Sequence, residues 1–110
     1  MAERATKALG DKRALLMADL VVAECVYVLE SFYEVERERV AALMCAALAL
    51  PNLSVTGRPL LLRALEVYEL DRLDFAEAYL VASAEATDVG EILSFDRSID
   101  RVKTVKRIEP

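Results

Sequence analysis

Four short apolar runs, Ala14–Ala18, Leu53–Val55, Glu91–Phe95 and Val105–Ile108, alternate with longer stretches of helical periodicity, and this alternation most narrows the fold. Parallel strands need a crossover connection between them, most simply a helix, so such a chain packs as a mostly parallel sheet flanked by helices. The expected class is therefore α/β. Residues 2–9 read as a helix stopped by Gly10-Asp11, and a second helix runs from Leu20 to Phe32 with Asp19 as the candidate N-cap. The polar cluster Glu34–Glu38 opens a third, which reaches Ala49 and stops before Pro51-Asn52. Gly57-Arg58-Pro59 starts a fourth with proline in its first turn, where the missing N–H costs nothing. The last begins at Asp74 and ends near Asp88 to Gly90, and Asp96–Asp100 reads as a turn.

With 110 residues, no internal repeat and no linker, the chain is expected to be one domain over residues 1–110. Its longest apolar run, Val40–Leu50, is far shorter than the roughly 20 residues that cross a bilayer, so no membrane span is expected. The first thirteen residues include Glu3, Arg4, Lys7, Asp11, Lys12 and Arg13 and lack the apolar core of a signal peptide, which points to a cytoplasmic protein. Cys25 and Cys45 lie in apolar helical patterns with no second Cys or His nearby, and read as reduced core thiols.

Histidine is absent, which excludes imidazole acid–base catalysis, Ser-His-Asp and Cys-His nucleophiles, and zinc sites that need His. Chemistry must rest on carboxylates, Ser, Lys or Tyr. Charge is uneven: residues 14–96 carry fifteen acidic and five basic side chains, whereas residues 97–110 carry five basic and two acidic. That distribution fits either a solvated surface or a cation site with a basic rim for phosphates.

Three carboxylates stand out. Glu24 has Leu20, Val21, Tyr27 and Val28 as its helical neighbours, an apolar setting that demands a basic partner or a metal. Glu77 has Leu73, Leu80 and Val81 at the same spacings, although Asp74-Phe75-Ala76-Glu77 also has the spacing of a capping box. Asp96 directly follows a strand, where ligands collect in open α/β sheets, and it is equally suited to cap a turn, as is Asp100. Converging carboxylates without His or Cys suit Mg²⁺ or Mn²⁺, and such an ion suits phosphodiester cleavage.

The segment from Ala18 to Tyr33, ADLVVAECVYVLESFY, resembles the second-acid segment of VapC-type PIN-domain ribonucleases, the toxins of type II toxin–antitoxin systems. Leu73–Leu80, LDFAEAYL, resembles that family's third-acid helix, and Ile92–Arg97, ILSFDR, its strand with the fourth acid. The resemblance covers residues 14–108. It implies that Glu24, Glu77 and Asp96 are catalytic metal-site acids, with Glu77 standing where the family usually has Asp. It also implies an RNA substrate, a cognate antitoxin as inhibitor, and a homodimer.

Members of that family begin with a strand whose Asp-Thr-Asn-like end supplies a first acid and which lies centrally in the sheet. No apolar strand precedes residue 14 here, and neither Glu3 nor Asp11 follows one. By resemblance the fold is PIN-like with the first strand missing; the sheet closes differently, borrows a strand from a partner, or belongs to a fragment of a longer product, and the simplest expectation is weakened or absent catalysis. Two alternatives follow: a degenerate PIN fold that retains dimer or antitoxin binding, and an acidic α/β interaction module in which Glu24 and Glu77 pair with Arg63, Arg72 or other basic residues.

Overall fold

The computed structural model describes residues 14–110; the expected helix over 2–9 and the expected absence of a first strand both fall on residues 1–13, outside the described residues. In chain order the elements are β1 (Leu15–Leu16), α1 (Asp19–Ser31), α2 (Arg37–Leu48), β2 (Leu53–Ser54), α3 (Arg58–Leu70), α4 (Phe75–Thr87), β3 (Glu91–Leu93), a 3-10 helix (Arg97–Arg101) and β4 (Lys106–Ile108). This is an α/β arrangement of four helices and short parallel strands.

The helix boundaries follow local chemistry. Ala18, not Asp19, takes the extended N-cap conformation of α1, and its carbonyl accepts from the N–H groups of Val21 and Val22. Asp19 stands one residue inside, where its charge complements the positive end of the helix. The opening of α2 comes later than expected, at Arg37, because Glu34 has φ of 52° and cannot belong to a right-handed helix. Gly57 supplies the left-handed N-cap of α3 at φ of 69°, with Pro59 in the first turn. Asp88, at φ of 61°, ends α4, and Gly90 follows at φ of 74°.

The core forms mainly where α3 meets α4 and α2. Leu61, Ala64, Leu65 and Tyr68 of α3 face Ala78, Val81 and Ala82 of α4, with Val40, Met44 and Leu48 of α2 in the same apolar cluster. No charged or polar side chain is fully buried among the described residues. α1 contributes only Val22 and Val26 to the buried set. Cys25 is half-buried and Cys45 exposed, so the expectation of two core thiols fails at Cys45, which lies on the solvent side of α2; both thiols are free.

Every described strand pairing is parallel, as the alternation requires, but the strands form two separate pairs in place of one sheet. β1 pairs with β2, setting Leu15 opposite Leu53, and β3 with β4, setting Glu91 opposite Lys106, Ile92 opposite Arg107 and Leu93 opposite Ile108. The strands are shorter than the apolar runs. β3 ends at Leu93 instead of Phe95 because the chain bends there into the 3-10 helix that Asp96 caps. No described helix is long and apolar enough to cross a membrane.

Candidate carboxylate site

The loop between α3 and α4 sets the first turn that carries Glu77. α3 has no basic residue in its last turn to meet its free carbonyls. Arg37 fills that role from α2: its Nη1 donates to the Tyr68 carbonyl at 2.7 Å and to the Leu73 carbonyl at 2.6 Å, and its guanidinium lies 4.4 Å from the centre of the Tyr68 ring. The Tyr68 hydroxyl donates to Glu30 Oε2 at 2.7 Å, tying the same point to α1. Burial first, and then Glu30, pushes the Tyr68 hydroxyl well above the ordinary tyrosine range. Arg101 holds the Arg72 carbonyl at 2.9 Å, and Arg72 itself adopts φ of 60° as the chain turns into Leu73. Asp74 then occupies the N-cap position, although its side chain makes no capping hydrogen bond, so the capping-box spacing is present without that half of its bonding.

Glu77 is half-buried in this first turn. Burial raises its carboxyl above the usual range; Asp96 and Asp74 raise it further, and the residue's own backbone N–H partly opposes them. Two segments far apart in sequence thus bring negative charge to one place. Asp96 behaves oppositely. It accepts a hydrogen bond from the Ser98 N–H at 2.9 Å as cap of the 3-10 helix, and its own N–H donates to Ser94 Oγ at 3.0 Å. Hydrogen bonding from the Ser98 side chain and backbone lowers its carboxyl, with attraction from Arg101 and Arg107 adding to the effect. Of this pair, Asp96 stays ionised more readily, while Glu77 is disfavoured as a charge by burial first and by its acidic neighbours second.

Glu24 is placed differently from what its sequence neighbours suggest. It is exposed on α1, and so are Leu20, Val21 and Tyr27, so its apolar setting is a solvent-facing strip and not a core. Its charge acts on Cys25, whose thiol is raised by burial and then by Glu24. No group of three or more His, Cys, Asp or Glu is arranged to hold a metal among the described residues. The alternative pairing with Arg63 or Arg72 is not what those arginines make. Arg63 binds Glu85, with Nε to Oε1 at 2.7 Å, and also Glu66; Arg72 reaches Glu38 at 3.4 Å.

Beside these acids runs an apolar groove of about 350 Å³ between α1 and α4, lined by Asp19, Leu20, Ala23, Phe75, Ala76, Tyr79 and Leu80. Glu24 and Glu77 each follow a lining alanine without lining the groove, so its walls are not the carboxylate pair. At its edge the Tyr79 hydroxyl donates to Asp19 Oδ2 at 2.6 Å. Sequence reasoning missed this bond and the Arg37 clamp, because both partners in each case are remote in sequence. Asp74 was visible as a cap, but its spacing from Glu77 gave no sign that Asp96 would join them.

Compared with protein families, the chain matches the PIN domain over residues 1–105. The comparison with curated proteins gives no match, and neither does the comparison with solved structures.

Proposed function

The chain belongs to the PIN-domain family of divalent-metal-dependent, RNA-binding nucleases, and from that membership we propose that it is a VapC-type endoribonuclease, folded as one domain over residues 1–110. The observation that carries the reading is the packing of α4, which carries Glu77, against β3 and the 3-10 helix that Asp96 caps, where burial first and then Asp96 and Asp74 raise the Glu77 carboxyl. Carboxylates placed to repel one another at the end of a strand suit a divalent cation. The donors are oxygens alone, which suits Mg²⁺ or Mn²⁺; Mg²⁺ is commonly held by one or two carboxylates plus water and phosphate.

In this proposal Glu77 and Asp96 hold the ion and Glu24 is the third site acid. The ion supplies an activated water and neutralises charge on the phosphate. The chain's own residues fix the donors: Ser98 orients Asp96, while Arg37 and Arg101 hold the loop that presents Glu77. Arg101 and Arg107 lie close enough to Asp96 to attract its charge and to draw a phosphate toward it. RNA is the substrate, and a cognate antitoxin, a homodimer and a cytoplasmic location belong to the same proposal.

The exposed position of Glu24 favours a second reading, a degenerate PIN fold that retains dimer or antitoxin binding without nuclease activity. Both readings differ from an acidic interaction module in keeping a site for the metal. A cation that binds only the folded state raises its melting temperature. Mn²⁺ is expected to raise the Tm of the wild-type chain and to lose most of that effect in Glu77→Gln and Asp96→Asn. An unchanged wild-type Tm across millimolar Mn²⁺ overturns the metal site.

A further inference from the structure

Phe95 is 70% exposed at the point where β3 leads into the 3-10 helix. Its neighbours show that this is not a frayed end: Ile92 is buried in the core, the Ser94 N–H donates to the Ile108 carbonyl at 3.0 Å, and Asp96 is fixed by Ser98. A large aromatic ring is thus held in solvent by a well-bonded backbone. Leu93, two residues earlier, is also 70% exposed, which extends the apolar surface along the strand.

Cations gather beside this ring, next to the carboxylate of Asp96. Arg107 Nη1 donates to the Ser94 carbonyl at 3.2 Å, and Arg101 and Arg107 both act on Asp96, so cations flank Phe95 through its two sequence neighbours. Asp100 and Glu109 pair with Arg107, whereas Arg97 and Arg101 form no direct carboxylate ion pair among the described residues, Arg101 acting on Asp96 only at longer range. Elsewhere the chain presents the opposite charge: residues 73–90 contain four carboxylates and no basic residue, and residues 14–36 contain five and none. Phosphates are repelled from the α1 and α4 faces and drawn to the 3-10 helix.

We propose that Phe95 is a base-stacking residue for single-stranded RNA, with Arg97 and Arg101 holding the adjoining phosphates. The assignment rests on the nuclease reading above and adds to it the place where the strand docks. An exposed ring beside arginines is how single strands are held without sequence readout, because every base has a stacking face. Stacking on Phe95 sets a nucleotide one residue away from Asp96 and positions the strand without taking part in bond cleavage.

The chain has no tryptophan, so Phe95→Trp places a single indole at the proposed contact. Titration with a mixed-sequence single-stranded RNA of about 12 nucleotides, in EDTA at low salt, is expected to quench its emission. Phe95→Trp is expected to keep the wild-type Kd within about twofold, while Phe95→Leu weakens it about tenfold. Arg97→Ala with Arg101→Ala is expected to reduce the salt slope of log K by about 1.4, the share of two phosphate contacts. If RNA binds the wild type but leaves the indole emission unmoved and the Phe95→Leu affinity unchanged, the stacking role is wrong and the nuclease reading stands. RNA that does not bind the wild type at all overturns the docking site together with the reading on which it rests.

Discussion

Replacing Arg37 tests how the loop that presents Glu77 is held. Its guanidinium makes two charge-assisted hydrogen bonds, to the Tyr68 and Leu73 carbonyls, and covers the Tyr68 ring at 4.4 Å. Hydrogen bonds to a charged group contribute about 1.5–3 kcal/mol each, and the half-buried position places both toward the lower figure. Arg37→Ala therefore costs about 3 kcal/mol, with the ring contact included because it shares the same desolvated guanidinium. At this chain length about 4 °C accompanies each kcal/mol, which gives a fall in Tm of about 12 °C. Arg37→Lys keeps the charge but loses the planar fork, and recovers only about 1 kcal/mol of that loss. Urea unfolding followed by circular dichroism measures both, with an unchanged m-value as the sign that folded and unfolded states are otherwise alike. A loss below about 0.5 kcal/mol for Arg37→Ala, the range of an ordinary surface substitution, refutes the clamp.

Three further outcomes follow from the same geometry. Glu85 is held below its ordinary range by Arg63 and Thr104, so its folded pKa is depressed and its stabilisation is present above the unfolded value and lost as pH falls through the folded one. Glu85→Gln is expected to cost about 1 kcal/mol at neutral pH and progressively less as acid protonates the folded carboxyl, read by urea melts across the acid range. Glu77 has the opposite sign: its folded pKa is raised, so ionisation disfavours the folded state above the ordinary carboxylate range. In EDTA at neutral pH Glu77→Gln is expected to melt above wild type, the difference closing as acid protonates both folded and unfolded chains; a lower Tm contradicts a carboxyl raised by burial and by its acidic neighbours. Both cysteine thiols are raised by burial and a nearby glutamate, but Cys45 is exposed while Cys25 is half-buried. Thiol titration of the native chain should modify Cys45 first, and equal rates contradict the placement.

Much of the helical framework was legible, because periodicity and punctuation are local. Pro59 after Gly57 marks the start of α3, and Asp88 and Gly90 mark the end of α4. The boundaries that slipped depended on backbone conformations that sequence does not reveal: Glu34 at φ of 52° delays α2, and Ala18 takes the cap expected of Asp19. Parallel pairing was legible from the alternation of elements, while the division into two strand pairs is a long-range outcome. At the site, Glu77 and Asp96 were identified separately by local signals, and their mutual influence depends on the packing of α4 against β3 and the 3-10 helix. Glu24 was misread in one respect. Apolar neighbours at helical spacing suggest burial only if that face is covered, and on α1 the covered residues are Val22 and Val26.

The central claim is metal-dependent RNA cleavage by the carboxylates, and the most direct measurement is turnover of a mixed-sequence single-stranded RNA by the purified chain, with Mg²⁺ or Mn²⁺ against EDTA and with Glu24→Gln, Glu77→Gln and Asp96→Asn in parallel. The account predicts cleavage only with the metal, lost in all three variants. RNA left intact under every condition, or cut equally by the variants, contradicts it.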